Sequence, residues 1–360
     1  MKMLVQCIEG LESVTQKELK EESKIIQPGL INMDVKDQKT IAEFAMQTRS
    51  ALGVFQYIAE GTASSLEDIA NIMKEIDFNK LVDTSFVVRC ERKGNHPFNS
   101  NEVERKCGEV IFNQAKVEVD LHNPKYTIAV LVYNERVYVA IDFAGFKLAK
   151  RDYRIKVISS SLNPCLAFSL LSLSEWNPEE SLLDPFCKTG EIVIEAALFG
   201  LNIPPLLHVQ EKFAFQRFLP IREKNIEKDK ELQIYAYDSL HVNIRNAEVN
   251  AKLALVQKQV TFSRTEVEWL DTKFKEKSVD KIITAIPTPS RFNNYKDFTK
   301  LCRDFFHQVE FIIKKKGTIT VMTTKPEEVI KQAELFKLKK QKDCTFKIGE
   351  NRGYILIFKK

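Results

Sequence analysis

The stretch Leu182-Leu183-Asp184-Pro185-Phe186-Cys187-Lys188-Thr189-Gly190-Glu191 decides how this chain folds. Two apolar residues run into a carboxylate, a turn bearing Pro and Gly follows, and residues 192–198 then continue without a breaker. A strand ending on an acid, a tight turn and a helix is how open α/β sheets present nucleotide-like ligands at the carboxyl ends of their strands. One glycine-bearing turn is also common for steric reasons alone. The surroundings must therefore carry the reading.

Downstream, apolar runs at 182–183, 234–237, 260–263, 281–285 and 318–322 alternate with helical spacing at 189–199, 241–253 and 298–314. Parallel strands joined by crossover helices need this alternation, so the second half is expected to be a doubly wound α/β domain with a mostly parallel sheet. A hairpin over 336–347 and 353–358 would close it, and the charged stretch 222–231 reads as an exposed loop. Upstream the pattern is α+β. Strands are expected at 3–7 and 54–59, with helices at 10–21 and 41–52. Next come a helix capped by Ser65, a strand at 85–90, a helix at 101–115, and strands at 127–133 and 136–142 joined at Asn134-Glu135. A further helix is expected at 163–176. The domain expectation is 1–60, 61–157 and 158–360.

The 360 residues suffice for two or three domains, and 44% hydrophobic with 29% charged residues is ordinary for a globular protein with buried cores. Residues 1–9 have no signal-peptide pattern, and no apolar run is long enough to span a bilayer, so a cytoplasmic protein without a membrane partner is expected. The seven cysteines include no CxxC pair and the five histidines are dispersed, which argues against a disulfide framework and against a metal site. A net charge of +5 does not by itself demand nucleic acid. More telling is the run Lys147-Leu148-Ala149-Lys150-Arg151-Asp152-Tyr153-Arg154-Ile155-Lys156, which reads either as a solvated linker or as a phosphate-contact surface.

A second acid, Asp238, closes Ile234-Tyr235-Ala236-Tyr237-Asp238. A carboxylate there can accept hydrogen bonds from both ribose hydroxyls of a nucleoside, or can cap the following helix. Glu266, after the next strand, is placed either for an adenine edge or as surface charge. Cys187 and His307 read as packing residues.

With these residues in view, the chain resembles the THUMP-containing RNA guanosine-N2 methyltransferases. Asp184 to Ala197 is similar to their motif Asp-Pro-x-Cys-Gly-(Ser/Thr)-Gly followed by a helix with Ile-Glu-Ala. Phe213-Ala214-Phe215, Asn246-Ala247 and Asn250-Ala251 match later segments. Gly10-Leu11-Glu12 and Glu18-Leu19 look like the amino-terminal ferredoxin-like unit, and Val137 to Asp142 with Lys150-Arg151 and Tyr153-Arg154 like the end of a THUMP domain. The resemblance implies a ferredoxin-like unit and a THUMP domain before a Rossmann-type methyltransferase domain. It further implies S-adenosylmethionine held by Asp184, Pro185, Thr189, Gly190, Asp238 and Glu266, and tRNA gripped through Lys150, Arg151 and Arg154.

Two positions depart from the pattern. Lys188 stands where the family has Gly. The family's Asn-Pro-Pro-Tyr loop becomes Ala285-Ile286-Pro287-Thr288, with Arg291 and Phe292 nearby. In that motif the Asn oxygen and a backbone carbonyl hold the guanine amine in line, and the aromatic ring stacks on the flipped base. Ala285 and Thr288 do neither. Two expectations follow: an active tRNA methyltransferase with a divergent loop, or an inactive RNA-binding relative that partners an active methyltransferase subunit.

Overall fold

The computed structural model describes residues 1–19, 21–222, 230–289 and 294–360. The chain divides into two compact units, one of Met1–Cys7, Gln16–Leu148 and His208–Lys224, the other of Ile8–Thr15, Ala149–Leu207 and Asn225–Lys360.

The first unit is built on strands β1 (Lys2–Gln6), β2 (Lys24–Gln27), β3 (Leu30–Asp34), β4 (Gly53–Thr62), β5 (Ser85–Lys93), β6 (Glu118–Val119), β7 (Tyr126–Tyr133) and β8 (Arg136–Asp142). They form one sheet in the order β2-β3-β1-β4-β8-β7-β5-β6. Pairing is antiparallel as far as β7 and parallel between β7, β5 and β6. Helices α1 (Glu12–Leu19), α2 (Gln38–Gln47), α3 (Leu66–Lys74) and α4 (Ser100–Ala115) lie between the strands in sequence. Ser65 caps α3 as expected, in a reciprocal box with Asp68. Asn134 turns β7 into β8 at a φ of 53°, a conformation asparagine tolerates. β2 and β3 were not foreseen.

Residues 208–222 follow the cofactor-type turn in sequence yet fold with the first unit. Ala214 N–H donates to the Ala144 carbonyl at 2.9 Å and Phe215 N–H to that of Phe143 at 3.1 Å. Gly145, at a φ of +76°, admits Ala214 where a Cβ would come within 2.7 Å of its methyl.

The second unit is the expected mostly parallel α/β sheet. Its strands are β9 (Leu182–Asp184), β10 (Ile234–Asp238), β11 (Val260–Arg264), β12 (Val279–Ala285), β13 (Ile313–Thr323), β14 (Lys339–Ile348) and β15 (Asn351–Lys359). The order is β11-β10-β9-β12-β13-β15-β14, parallel through β13 and antiparallel at the terminal hairpin. Helices α5 (Pro164–Leu173), α6 (Glu191–Gly200), α7 (His241–Leu253), α8 (Tyr295–Ile312) and α9 (Pro326–Leu335) complete it. From α8, Phe298, Cys302, Phe305, Val309 and Ile312 enter one core with Ile282, Ile319, Val321 and Phe358. Their spacing of three and four residues is a helical face against the pleat. α9 was not foreseen, although Pro326 in its first turn with Glu327 and Glu328 is a helix-start signal.

Candidate active site

Asp184, Asp238 and Ala285 end β9, β10 and β12, three neighbouring parallel strands, so the fold gathers them at one end of the sheet. The turn after Asp184 is held from several sides. Gly190, at a φ of +89°, starts α6 where a Cβ would meet the Ala247 methyl at 3.0 Å, so glycine lets α6 and α7 approach. Lys188 is also left-handed, at +49°. A residue with a Cβ pays about 1–2 kcal/mol for that conformation, which glycine would not.

Asp238 does not cap α7; Leu240 occupies that position. Its Oδ2 accepts the Lys188 N–H at 3.0 Å, and its Oδ1 accepts the Leu240 N–H at 3.0 Å and the Asn243 amide at 2.9 Å. A carboxylate offers about four acceptor sites, so one side of Oδ2 stays available. Glu266 is exposed, two residues beyond Arg264, the register partner of Asp238.

Asp184 is buried and accepts the Thr284 hydroxyl at 2.5 Å and the Phe186 N–H at 3.2 Å. Burial pushes its carboxyl up to about 7. Because the folded value lies above an ordinary carboxylate near about 4, protonation favours the fold. That contribution is present below about pH 4 and is lost as the pH rises through 7. Urea unfolding at pH 5 and pH 8 is expected to show a larger fall in stability for the natural chain than for Asp184→Asn. Equal falls would refute this assignment.

Lys188 is half-buried and lines a cavity with Leu162, Asp184, Phe186, Glu191 and Ala285. Burial pulls its ammonium below the ordinary lysine range, against the opposing pull of Asp184, Asp238 and Glu191. The cavity holds about 10 Å³, space for about one water.

Thr189 and Pro185 are buried. The Thr189 hydroxyl lies 2.8 and 2.9 Å from the Glu191 carboxylate oxygens and 2.6 Å from the Ser161 hydroxyl, so it braces the turn from within. Of the basic run, Lys150 is exposed. Arg151 is fully buried on Glu195, with Nε to Oε1 at 2.9 Å, and the Tyr153 hydroxyl donates to the same oxygen at 3.0 Å. Arg154 reaches Glu191 at 3.3 Å and the Leu162 carbonyl at 3.2 Å. The buried Asn250 closes the arrangement: its amide donates to the carbonyls of Lys156 and Thr189 at 2.8 and 3.0 Å, and its oxygen accepts the Lys156 N–H at 2.9 Å. Residues 151–162 are thus a strap across α6 and α7 that fixes the turn. Sequence reading assigned no role to Glu191, Glu195, Tyr153, Ser161 or Asn250.

Ala285 is the buried last residue of β12 rather than part of the loop, and beyond it Pro287 is half-buried and Thr288 exposed. Arg291 and Phe292 lie outside the described residues. Among the described residues no group of His, Cys, Asp and Glu is arranged to hold a metal, and no helix is long and apolar enough to cross a membrane.

Residues 151–352 match the family described as RMKL-like, methyltransferase domain, and residues 63–142 match the THUMP domain. The chain belongs to the THUMP-containing RMKL-like methyltransferases. The tRNA (guanine(6)-N2)-methyltransferase of Methanocaldococcus jannaschii is 30% identical over 276 residues, 72% of each chain. The enzyme of the same name from Archaeoglobus fulgidus is 25% identical, over 81% of this chain and 74% of that one. In fold, this RMKL-like chain matches TrmN from Thermus thermophilus with a TM-score of 0.76 at 21% identity, covering 100% of this chain and 99% of TrmN. A "possible methylase" from Clostridium difficile 630 gives 0.85 at 23%, covering 99% and 97%.

Proposed function

We propose that this RMKL-like chain is a cytoplasmic methyltransferase that uses S-adenosylmethionine to methylate the exocyclic N2 of a guanosine in tRNA. In this reading 1–60 is a ferredoxin-like unit, 61–157 the THUMP domain that captures RNA, and 158–360 the catalytic domain. The observation that carries it is the Asp184-to-Gly190 turn braced beside Asp238 at the strand ends, in a chain of this family.

The residues fit the cofactor at its nucleoside end. Asp238 is pre-oriented with an acceptor site to spare for a ribose hydroxyl, and Glu266 stands two residues beyond the end of the neighbouring strand. They confine it at the other end, where Lys188 borders the small cavity. When bound, S-adenosylmethionine supplies an electrophilic methyl group. The protein's own part is to hold the guanine amine in line, and the loop retains main-chain carbonyls and Pro287 for that purpose. Lys150, exposed just before the strap, is the residue of this set placed to meet a phosphate, since Arg151 and Arg154 are committed to Glu195 and Glu191.

Calorimetric titration with S-adenosylmethionine tests the reading. Micromolar binding is expected for the natural chain, with about tenfold tighter binding for Lys188→Gly as the lysine leaves the turn, worth about 1.4 kcal/mol. Absence of binding in both would sink it. One observation favours a second reading: Ala285 and Thr288 cannot replace the Asn and Tyr of the family loop. Binding confined to Lys188→Gly would support that reading, an RNA-binding relative working beside an active subunit.

A further inference from the structure

The end of the second unit's sheet opposite the cofactor turn carries a concentration of lysines that the active site does not use. Lys315 and Lys316 lie on β13, Lys359 on β15 and Lys339 on β14, all exposed. Lys359 stands directly across from Lys339 on one side and from Thr318 on the other. None of the four has a salt bridge among the described residues, whereas neighbouring Lys314, Lys340, Lys342 and Lys360 pair with Asp280, Asp343, Glu175 and Glu310. Lysines commonly guard an edge strand against pairing with another chain. That explains Lys339 on β14, and Lys315 and Lys316 precede the first β13–β15 pair at Thr318, but Lys359 is paired with a strand on both sides and needs no such guard. Like charges set directly opposite weaken a sheet, and a bridging anion relieves the cost.

The face is remote from the chemistry. Lys316 lies six residues along β13 from Met322, the register partner of Ala285, about 20 Å at about 3.3 Å per residue. An anion that bridges several such lysines and also reaches the strand ends must be extended and repetitive in charge, as a nucleic-acid backbone is.

We propose that Lys315, Lys316, Lys339 and Lys359 form a docking face for the phosphate backbone of the RNA substrate, away from the reacting base. This rests on the RNA reading above. Phosphate contacts of this kind position the RNA without reading its sequence.

The test is binding of an unmodified tRNA transcript by the full chain across a salt series. The natural chain is compared with a Lys315→Glu, Lys316→Glu, Lys339→Glu, Lys359→Glu variant and with an equally charged control reversing Lys252, Lys258, Lys325 and Lys331, all exposed on the same unit. Matching thermal unfolding confirms that the variants fold. The expected result is at least tenfold weaker binding for the first variant at about 0.1 M salt. The salt slope should fall by about 2–4, since each lost phosphate contact removes about 0.9. The control should change less than threefold, and S-adenosylmethionine binding should stay the same in all. Equal tRNA affinity and slope in the first variant, or an equal loss in the control, overturns the docking face while leaving the RNA reading intact. A preference of the face for anionic phospholipid vesicles likewise overturns the docking face alone, whereas failure of the natural chain to bind tRNA overturns both.

Discussion

Replacing Glu195 by alanine is expected to destabilise the second unit by about 3–5 kcal/mol, the cost of leaving a buried charge without its partner. The Arg151 and Glu195 side chains are both fully buried, and the substitution strands the Arg151 guanidinium and the Tyr153 hydroxyl together. At about 2–4 °C per kcal/mol for a unit of this size, the melting transition should fall by roughly 6–20 °C. Removing both charges with Arg151→Met and Glu195→Leu should recover most of the loss, because a buried ion pair adds little over well-packed apolar residues. Thermal unfolding of the three variants checks this. A loss below about 1 kcal/mol for Glu195→Ala would mean that water reaches the pair. The strap would then not be the rigid brace of the turn described above.

The larger catalytic effect is expected at the loop. Installing Asn and Tyr through Ala285→Asn with Thr288→Tyr restores an acceptor for the guanine amine and a ring for the flipped base. Stacking contributes about 1–3 kcal/mol per base, and correct alignment of reacting atoms about a hundredfold in rate. Ala285 lines the same small cavity as Asp184 and Lys188, so the substitution places the new amide beside them. Single-turnover methyl transfer with saturating tRNA should accelerate by a hundredfold or more, with S-adenosylmethionine affinity nearly unchanged. An unchanged rate would show that the natural loop aligns the amine by other means.

Much of this was legible before the structure. Periodicity placed the parallel strands, because buried β-strands between helices have a simple apolar signature, and Asp184 and Asp238 were identified because strand ends are where that sheet presents polar groups. The basic run was harder. Lys150, Arg151 and Arg154 look equivalent in sequence, yet Arg151 is buried and Lys150 exposed. The separating signal lay elsewhere, in Glu191 and Glu195 one helical turn apart on a helix otherwise apolar over 192–198. Two carboxylates on a buried helix require cations, and Arg151 and Arg154 are the ones that answer. Asn250 gave no local sign of its role because its partners, Lys156 and Thr189, are 94 and 61 residues away. β2 and β3 were hidden by short polar-flanked runs, and residues 208–222 by folding apart from their sequence neighbours.

The central claim is methyl transfer to tRNA. The most direct test is incubation of excess natural chain with S-adenosylmethionine carrying a labelled methyl group and an unmodified tRNA transcript, followed by digestion to nucleosides. Label recovered in N2-methylguanosine is the predicted result. Complete absence of label from the RNA, under conditions where both the cofactor and the tRNA are bound, would contradict it.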